Sequence, residues 1–506
     1  MDLKLALCLA AAALSGCSTF ASRNEPLKPR ESTPVPDTRA SFVLTHDRGE
    51  KDVLVLLALS GGGSRAAYFS GLVMLRMQQV FPDIDLLAEV DAISSVSGGS
   101  LPAAYYAVSK DPDVKLAQEP GAAVLTNTKL SYHANTRRLS IKSKLDEGEL
   151  PEVRSQFLNE RDLRQFDRLV RQWQVRSNRE WDEKTVKGLM SKNYISLWRG
   201  NMFWPDNIVL YPLTSYDRSD VMAQVFADNL FDVYPTGQDL EMRDLNPERP
   251  YLILNATNAT EKVNDKYMKF GSIFTFTHED FESSAGSDIL SYPVANAVMA
   301  SAAFPAVFKY VTLRDYRKDN GCDDKKDCFL HVFDGGNSDN LGLTSLKRII
   351  QDESLMRKKG YRKIVIILVD AYIKPRGVDR NHHEPLLSAL TSVMDATDSL
   401  LETNREHLLN EFRDDLSNDF GGKSIFYHIK FEDSYLRKDL EKIPTNFRIE
   451  KDHQDAIENA VNELLTTENT CLKRIRNIVL NQEDPKGSAD QESYCTWSPL
   501  RDETRP

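Results

Sequence analysis

The chain has 506 residues, 41% of them hydrophobic and 27% charged, and a formal net charge of −11 at pH 7. Those proportions are ordinary for a globular protein, and the negative balance argues against nucleic acid as a partner and against electrostatic docking on anionic lipid. Length alone suggests about three domains, but the segments that carry chemistry are spread over most of the chain. That spread favours one large α/β domain with insertions and a C-terminal extension.

Residues 1–16 read as a processing signal outside the fold. Lys4 supplies the positive region, Leu5 to Leu14 the apolar core, and Leu14-Ser15-Gly16-Cys17 resembles a bacterial lipobox. That resemblance implies cleavage before Cys17, diacylation of its thiol and acylation of the new amine, since several acyl chains anchor where one would not. An ordinary secretory signal with an incidental cysteine is the alternative. Ser18 in place of Asp after the cysteine points, by analogy with lipoprotein sorting, to the outer membrane of a bacterial envelope. Residues 17–48, polar and carrying Pro26, Pro29, Pro34 and Pro36, read as a lipidated flexible tether. No later apolar run reaches the roughly 18 residues of a spanning helix.

Val53 to Leu59 is a continuous apolar run of strand length, as expected of a strand buried on both faces. It runs into Ser60-Gly61-Gly62-Gly63-Ser64-Arg65 and then a helical pattern through Met77. Three glycines at a helix start leave backbone N–H groups for an anion, either a phosphate or the oxyanion of acyl transfer. The loop lacks the closing Gly-Lys-Ser/Thr of a phosphate loop and the spacing of a dinucleotide site; a tight connection with no ligand is the plainer reading. A second apolar run, Leu86 to Ile93, leads into Ser95-Val96-Ser97-Gly98-Gly99 and a stretch of small residues. That is the layout of a nucleophile elbow, a sharp strand-to-helix turn that presents a serine hydroxyl above a sheet; a plain Gly-Ser turn competes with it.

Residues 127–199 are charge-rich and helical in tone, as in Arg161 to Val170, and read as a helical insertion, a solvated excursion in preference to a substrate lid. The aromatic stretch Tyr194 to Pro205 reads as core packing first, with acyl-chain or bilayer contact as the alternative. Tyr251 to Ala256 and Lys363 to Asp370 are further buried-strand candidates, so the elements fit a mostly parallel sheet covered on both faces. Phe329 to Phe333 reads as a short strand ending in Asp334-Gly335-Gly336, where a carboxylate could turn back toward the sheet mouth and serve Ser97 as base. An Asx turn is its rival. From Pro385 to Phe412 apolar residues recur at helical spacing, with acidic residues opposite, which favours core or partner packing. The part from residue 436 is polar and helical.

Of six cysteines, Cys322, Cys328, Cys471 and Cys495 lie beyond the signal and its boundary. Two even, local pairs suggest Cys322–Cys328 and Cys471–Cys495 disulfides, one of three connectivities, in an oxidising compartment. Neither pair has zinc-site spacing, and no metal is expected.

Together the glycine loop, the elbow and Asp334-Gly335-Gly336 resemble the patatin-like phospholipase family. Ala300-Ser301-Ala302-Ala303-Phe304-Pro305 is similar to the stretch that precedes its catalytic aspartate. The chain departs from the family pattern at Ser95 and Ala66, where small residues replace glycine. The resemblance implies a three-layer α/β fold over residues 49–435 with a helical C-terminal extension over 436–506. It also implies a Ser97–Asp334 dyad, and an oxyanion site made by Gly61, Gly62 and Gly63 with the Gly98 amide. Arg65 would orient that loop, meet a phosphate or make a structural salt bridge. A triad through His382 or His383 is the competing arrangement. No cofactor is implied. The expected activity is hydrolysis of membrane phospholipids, of phospholipase A or lysophospholipase type. An idle scaffold lipoprotein on the same fold, or an esterase or thioesterase of small substrates, stands as the alternative.

Overall fold

The computed structural model describes residues 23–27, 52–111, 128–133, 138–143, 175, 179–204, 207, 216–233, 238–246, 248–260, 269–305, 307–317, 328–352, 356, 360–373, 404–414, 424–482 and 493–499. Its centre is Val53–Leu59 (β1), buried along its whole length. Parallel neighbours flank it, Ala92–Val96 (β2) on one side and Lys363–Asp370 on the other. Beyond β2 lies the parallel strand Tyr251–Asn258 (β3), on which Ile273–Phe276 (β4) runs antiparallel. Val311–Asp315 (β5) and Cys328–Asp334 (β6) form an antiparallel pair, and β6 joins β3. Lys363–Asp370 is β7; Ser424–Lys430 (β8) and Tyr494–Cys495 (β9) follow it in parallel at the far edge. The sheet is therefore mostly parallel.

Successive side chains of a strand point to opposite faces, and β1 divides accordingly. Val53, Val55, Leu57 and Leu59 enter the larger core, with helices Gly63–Gln79 (α1) and Ser100–Val108 (α2). Leu54, Leu56 and Ala58 enter the other, with Leu409, Phe412 and the Leu343–Gln351 helix. Three layers result. Glu183–Met190 (α3) packs against α1 at Gly71, where an added Cβ would stand 3.0 Å from Val186. Tyr194–Met202 (α4), Arg218–Phe226 (α5) and Val294–Ser301 (α6) also lie on this side.

The register of β3 positions the site. Asn255 pairs with Val96 on one edge and Thr275 on the other; Ala256 pairs with Asp334 and Phe274. With β4 holding one edge from Leu254 to Thr257, β2 and β6 share the opposite edge and run toward each other, ending head to head at consecutive residues of β3.

Within 127–199 the described residues differ from a purely helical insertion: Thr128–His133 and Arg138–Ser143 pair as an antiparallel hairpin. Leu130, Tyr132, Leu139 and Ile141 alternate with polar residues, the period of a strand. Arg161 to Val170 lies outside the described residues, as do Cys17, Cys322, His382, His383 and most of the 385–412 stripe; 404–414 is helical and buries Leu409 and Phe412. The C-terminal helices Lys451–Leu464 (α7) and Thr470–Val479 (α8) bury Ile457, Val461, Leu464, Leu472 and Ile475 in the larger core. A Cys471–Cys495 disulfide joins α8 to β9, and Cys328 is also disulfide-bonded.

Candidate active site

Ser97 follows β2 directly, at φ 50°, and a single turn of Ser97–Gly99 leads into α2. A non-glycine residue held at positive φ stores backbone strain and marks a position the surroundings over-determine. Here the restraint is Ser301, the last residue of α6. Its hydroxyl accepts from the Ser97 amide at 3.1 Å and lies 2.9 Å from the Ser100 hydroxyl. The Ser301 carbonyl accepts from the Gly335 amide at 3.2 Å, and the next turn's Ala303 carbonyl from the Asp334 amide at 3.1 Å. One helix end thus fixes both strand ends.

The Ser97 hydroxyl donates to Asp334 Oδ2 at 2.8 Å, while Asp334 Oδ1 accepts from the Gly336 amide at 2.8 Å. The Asx turn and the serine partner, rivals in the sequence, coexist because they use different oxygens. Thr257 on β3 donates to the Asp334 carbonyl at 2.8 Å and fixes the strand end. Burial pushes the Asp334 carboxyl up to about 6, with the hydrogen bonds from Gly336 and Ser97 holding it back. Among the described residues no histidine bonds to either group: His331 pairs with Thr312 and His428 with Asp370.

The glycine loop touches the elbow, since a Cβ on Gly98 would fall 2.0 Å from the Gly63 carbonyl oxygen. Only glycine allows that approach. Gly62 and Gly63 take φ 141° and 61°, which set the turn from β1 into α1. Gly61 requires a correction. Its amide donates to the Asn340 carbonyl at 3.0 Å, so it is not available to an oxyanion. Its lack of a side chain serves packing instead, because a Cβ would meet Asn340 Oδ1 at 2.2 Å. The Ser64 amide is likewise committed, to the Asn446 carbonyl at 2.8 Å. Among the described residues no carbonyl takes the amides of Gly62, Gly63 or Gly98. Arg65 is buried and donates to the carbonyls of Ala371 at 2.9 Å and Ile443 at 2.7 Å, which ties the start of α1 to these two backbone points.

In front of Ser97 opens a narrow cleft of about 30 Å³, lined by Gly63, Gly98, Leu101, Met190, Tyr194 and Phe447 among others. Its walls are apolar, the chemistry of a hydrocarbon chain. The aromatic stretch divides: Tyr194 lines the cleft and Trp198 packs edge-on to Phe308 at 5.6 Å, while Phe203 and Trp204 are exposed. Ser301 sat within a motif visible in the sequence, but Asn340 and Asn446 carried no signal, because their roles are made by backbone carbonyls.

A family model described as "Patatin-like phospholipase" matches residues 57–347. No curated protein matches. Among solved structures, the chain is similar to VipD from Legionella pneumophila at 15% identity and a TM-score of 0.26, covering 82% of this chain and 67% of that one. It is also similar to human GIVD cytosolic phospholipase A2 at 11% identity and a TM-score of 0.28, covering 71% of this chain and 47% of that one.

Proposed function

The chain belongs to the patatin-like phospholipase family of lipid-ester hydrolases, and on that premise we propose that it is a serine acyl hydrolase working through a Ser97–Asp334 dyad. The observation that carries this reading is the 2.8 Å hydrogen bond from the Ser97 hydroxyl to a buried carboxylate, with glycine amides alongside. A carboxyl titrating at about 6 is mostly ionised at neutral pH yet basic enough to accept a proton in the transition state. As Ser97 Oγ attacks the ester carbonyl, its proton passes to Asp334 Oδ2. The carbonyl oxygen gains negative charge against the Gly62, Gly63 and Gly98 amides. Collapse expels the alcohol, which takes the proton from Asp334 and leaves an acyl-serine. Water then attacks with the same carboxylate as base, releasing the fatty acid.

The apolar cleft supports a phospholipid or lysophospholipid substrate over a small polar ester. The lipobox reading of Leu14 to Cys17 adds a lipid anchor at a bacterial envelope membrane, which would hold the enzyme at its substrate; labelled palmitate incorporated by the wild type and lost in Cys17→Ser tests that part. For the activity the test is fatty-acid release from phospholipid vesicles by the wild type and by Ser97→Ala. Hydrolysis confined to the wild type supports the reading, and equal release by both proteins contradicts it.

A further inference from the structure

The chain returns to the oxyanion loop long after the family match has ended. Between Ile443 and Ile449, both buried, residues 444–446 cross the surface as an exposed strap. Three groups of the strap and its two flanking residues reach the site. The Ile443 carbonyl accepts from Arg65 Nη1 at 2.7 Å, and the Asn446 carbonyl accepts from the Ser64 amide at 2.8 Å. Phe447 lines the cleft and meets Phe308 edge-on at 5.4 Å.

We propose that residues 443–447 are a working part of the acyl-transfer site: their carbonyls hold the oxyanion loop in register with Ser97, and Phe447 forms a wall that reads the acyl chain. The inference rests on Ser97 as the nucleophile. The contact is intimate, since a Cβ on Gly63 would stand 2.3 Å from the Asn446 carbonyl oxygen. Three consecutive glycines have wide backbone freedom, so a loop of this composition is preorganised only if something outside it removes that freedom. Ser64 and Arg65 are the two points of attachment immediately after the glycines. The planar Arg65 fork ties the strap to the Ala371 carbonyl at the end of β7. By taking up the Ser64 amide, the strap leaves Gly62 and Gly63 as the loop's donors to the reacting oxygen.

Asn446 also shapes the strap itself. Its Oδ1 accepts from the Arg448 amide at 3.0 Å and from the Ser64 hydroxyl at 3.2 Å. Both partners donate to one oxygen, so a carboxylate replaces the amide without loss, whereas alanine removes both bonds. Asn446 is exposed, and neither change threatens the core.

The full-length protein would be titrated with a fluorophosphonate and with p-nitrophenyl esters of increasing acyl length. Asn446→Ala should slow Ser97 labelling and lower kcat by about tenfold with KM little changed, less than the 10²–10³ lost with an oxyanion donor itself. Asn446→Asp should restore both rates. Phe447→Ala should shift the preference severalfold toward longer or bulkier acyl chains, and Phe447→Leu should fall between. Thermal melting of each variant verifies that the fold is intact. Wild-type rates in Asn446→Ala together with a wild-type chain-length profile in Phe447→Ala would overturn the proposal. Failure of the wild type to label at Ser97 would instead overturn the nucleophile on which it rests.

Discussion

Asp334 at the end of β6 and Asp370 at the end of β7 are both almost fully buried, at 3% and 0% exposure, yet their surroundings give them opposite chemistry. Asp370 receives the Arg405 guanidinium at 2.6 and 3.2 Å and His428 Nε2 at 2.9 Å. Burial would raise its carboxyl, but Arg405 and His428 outweigh that and hold it well below the usual carboxylate range. Among the described residues Asp334 meets a serine hydroxyl and one backbone amide and no cation, so burial wins. A carboxylate with a fixed counter-charge is permanently ionised and ties strands together. One without is poised near neutrality and can exchange a proton. The informative question about a buried aspartate is therefore which cation, if any, it meets.

That contrast is broken most severely at the dyad. Ser97→Ala and Asp334→Asn should each lower kcat by about 10³ or more while the protein stays folded, because a nucleophile and its base act as one unit. Turnover assays with circular dichroism on the same samples check this; a Asp334→Asn variant with near wild-type kcat would break the assignment of the base.

Asp370→Ala should do the reverse. Removing one member of a buried ion pair strands the other, at a cost of about 3–5 kcal/mol in stability. Chemical denaturation measures it, and the surviving folded fraction should turn over far faster than Asp334→Asn.

The pH dependence of stability has opposite signs at the two sites. The Asp334 carboxyl stands above its ordinary 3.8, at about 6, so its contribution is present below about pH 4 and is lost as pH rises through 6. Asp334→Asn should gain on the wild type across that window, by up to about 3 kcal/mol. The Asp370 carboxyl is depressed, so its contribution is present above its ordinary 3.8 and disappears as pH falls below it. Urea melts of wild type and both variants at several pH values should show difference slopes of opposite sign. The same raised value predicts that kcat/KM climbs with pH and levels off above about 6.

Ser301→Ala is the smallest change. It removes the acceptor of the Ser97 amide without touching the reacting atoms, so kcat should fall about tenfold, roughly 1.4 kcal/mol, with KM nearly unchanged. Steady-state kinetics on a soluble ester separate the two constants.

Ser97, Asp334 and the parallel sheet were legible because each is written in contiguous residues: an apolar run, then small residues or glycines at a turn. What the sequence hid is long-range. Nothing near Gly61 says that its amide is taken by Asn340, and nothing near Ser64 says that Asn446 will lie on it. The head-to-head meeting of β2 and β6 depends on their registers against β3, which no local pattern encodes. The antiparallel pairing of 128–133 with 138–143 was hidden by the charges around it, although its alternation of apolar and polar residues was present to be counted.

Activation of Ser97 by Asp334 is read out by reacting the full chain with a fluorophosphonate at neutral pH and locating the adduct by peptide mass spectrometry. One adduct should form, on Ser97, absent in Ser97→Ala and formed much more slowly in Asp334→Asn. An adduct on another serine, or labelling at Ser97 that proceeds equally fast without the Asp334 carboxylate, would contradict it.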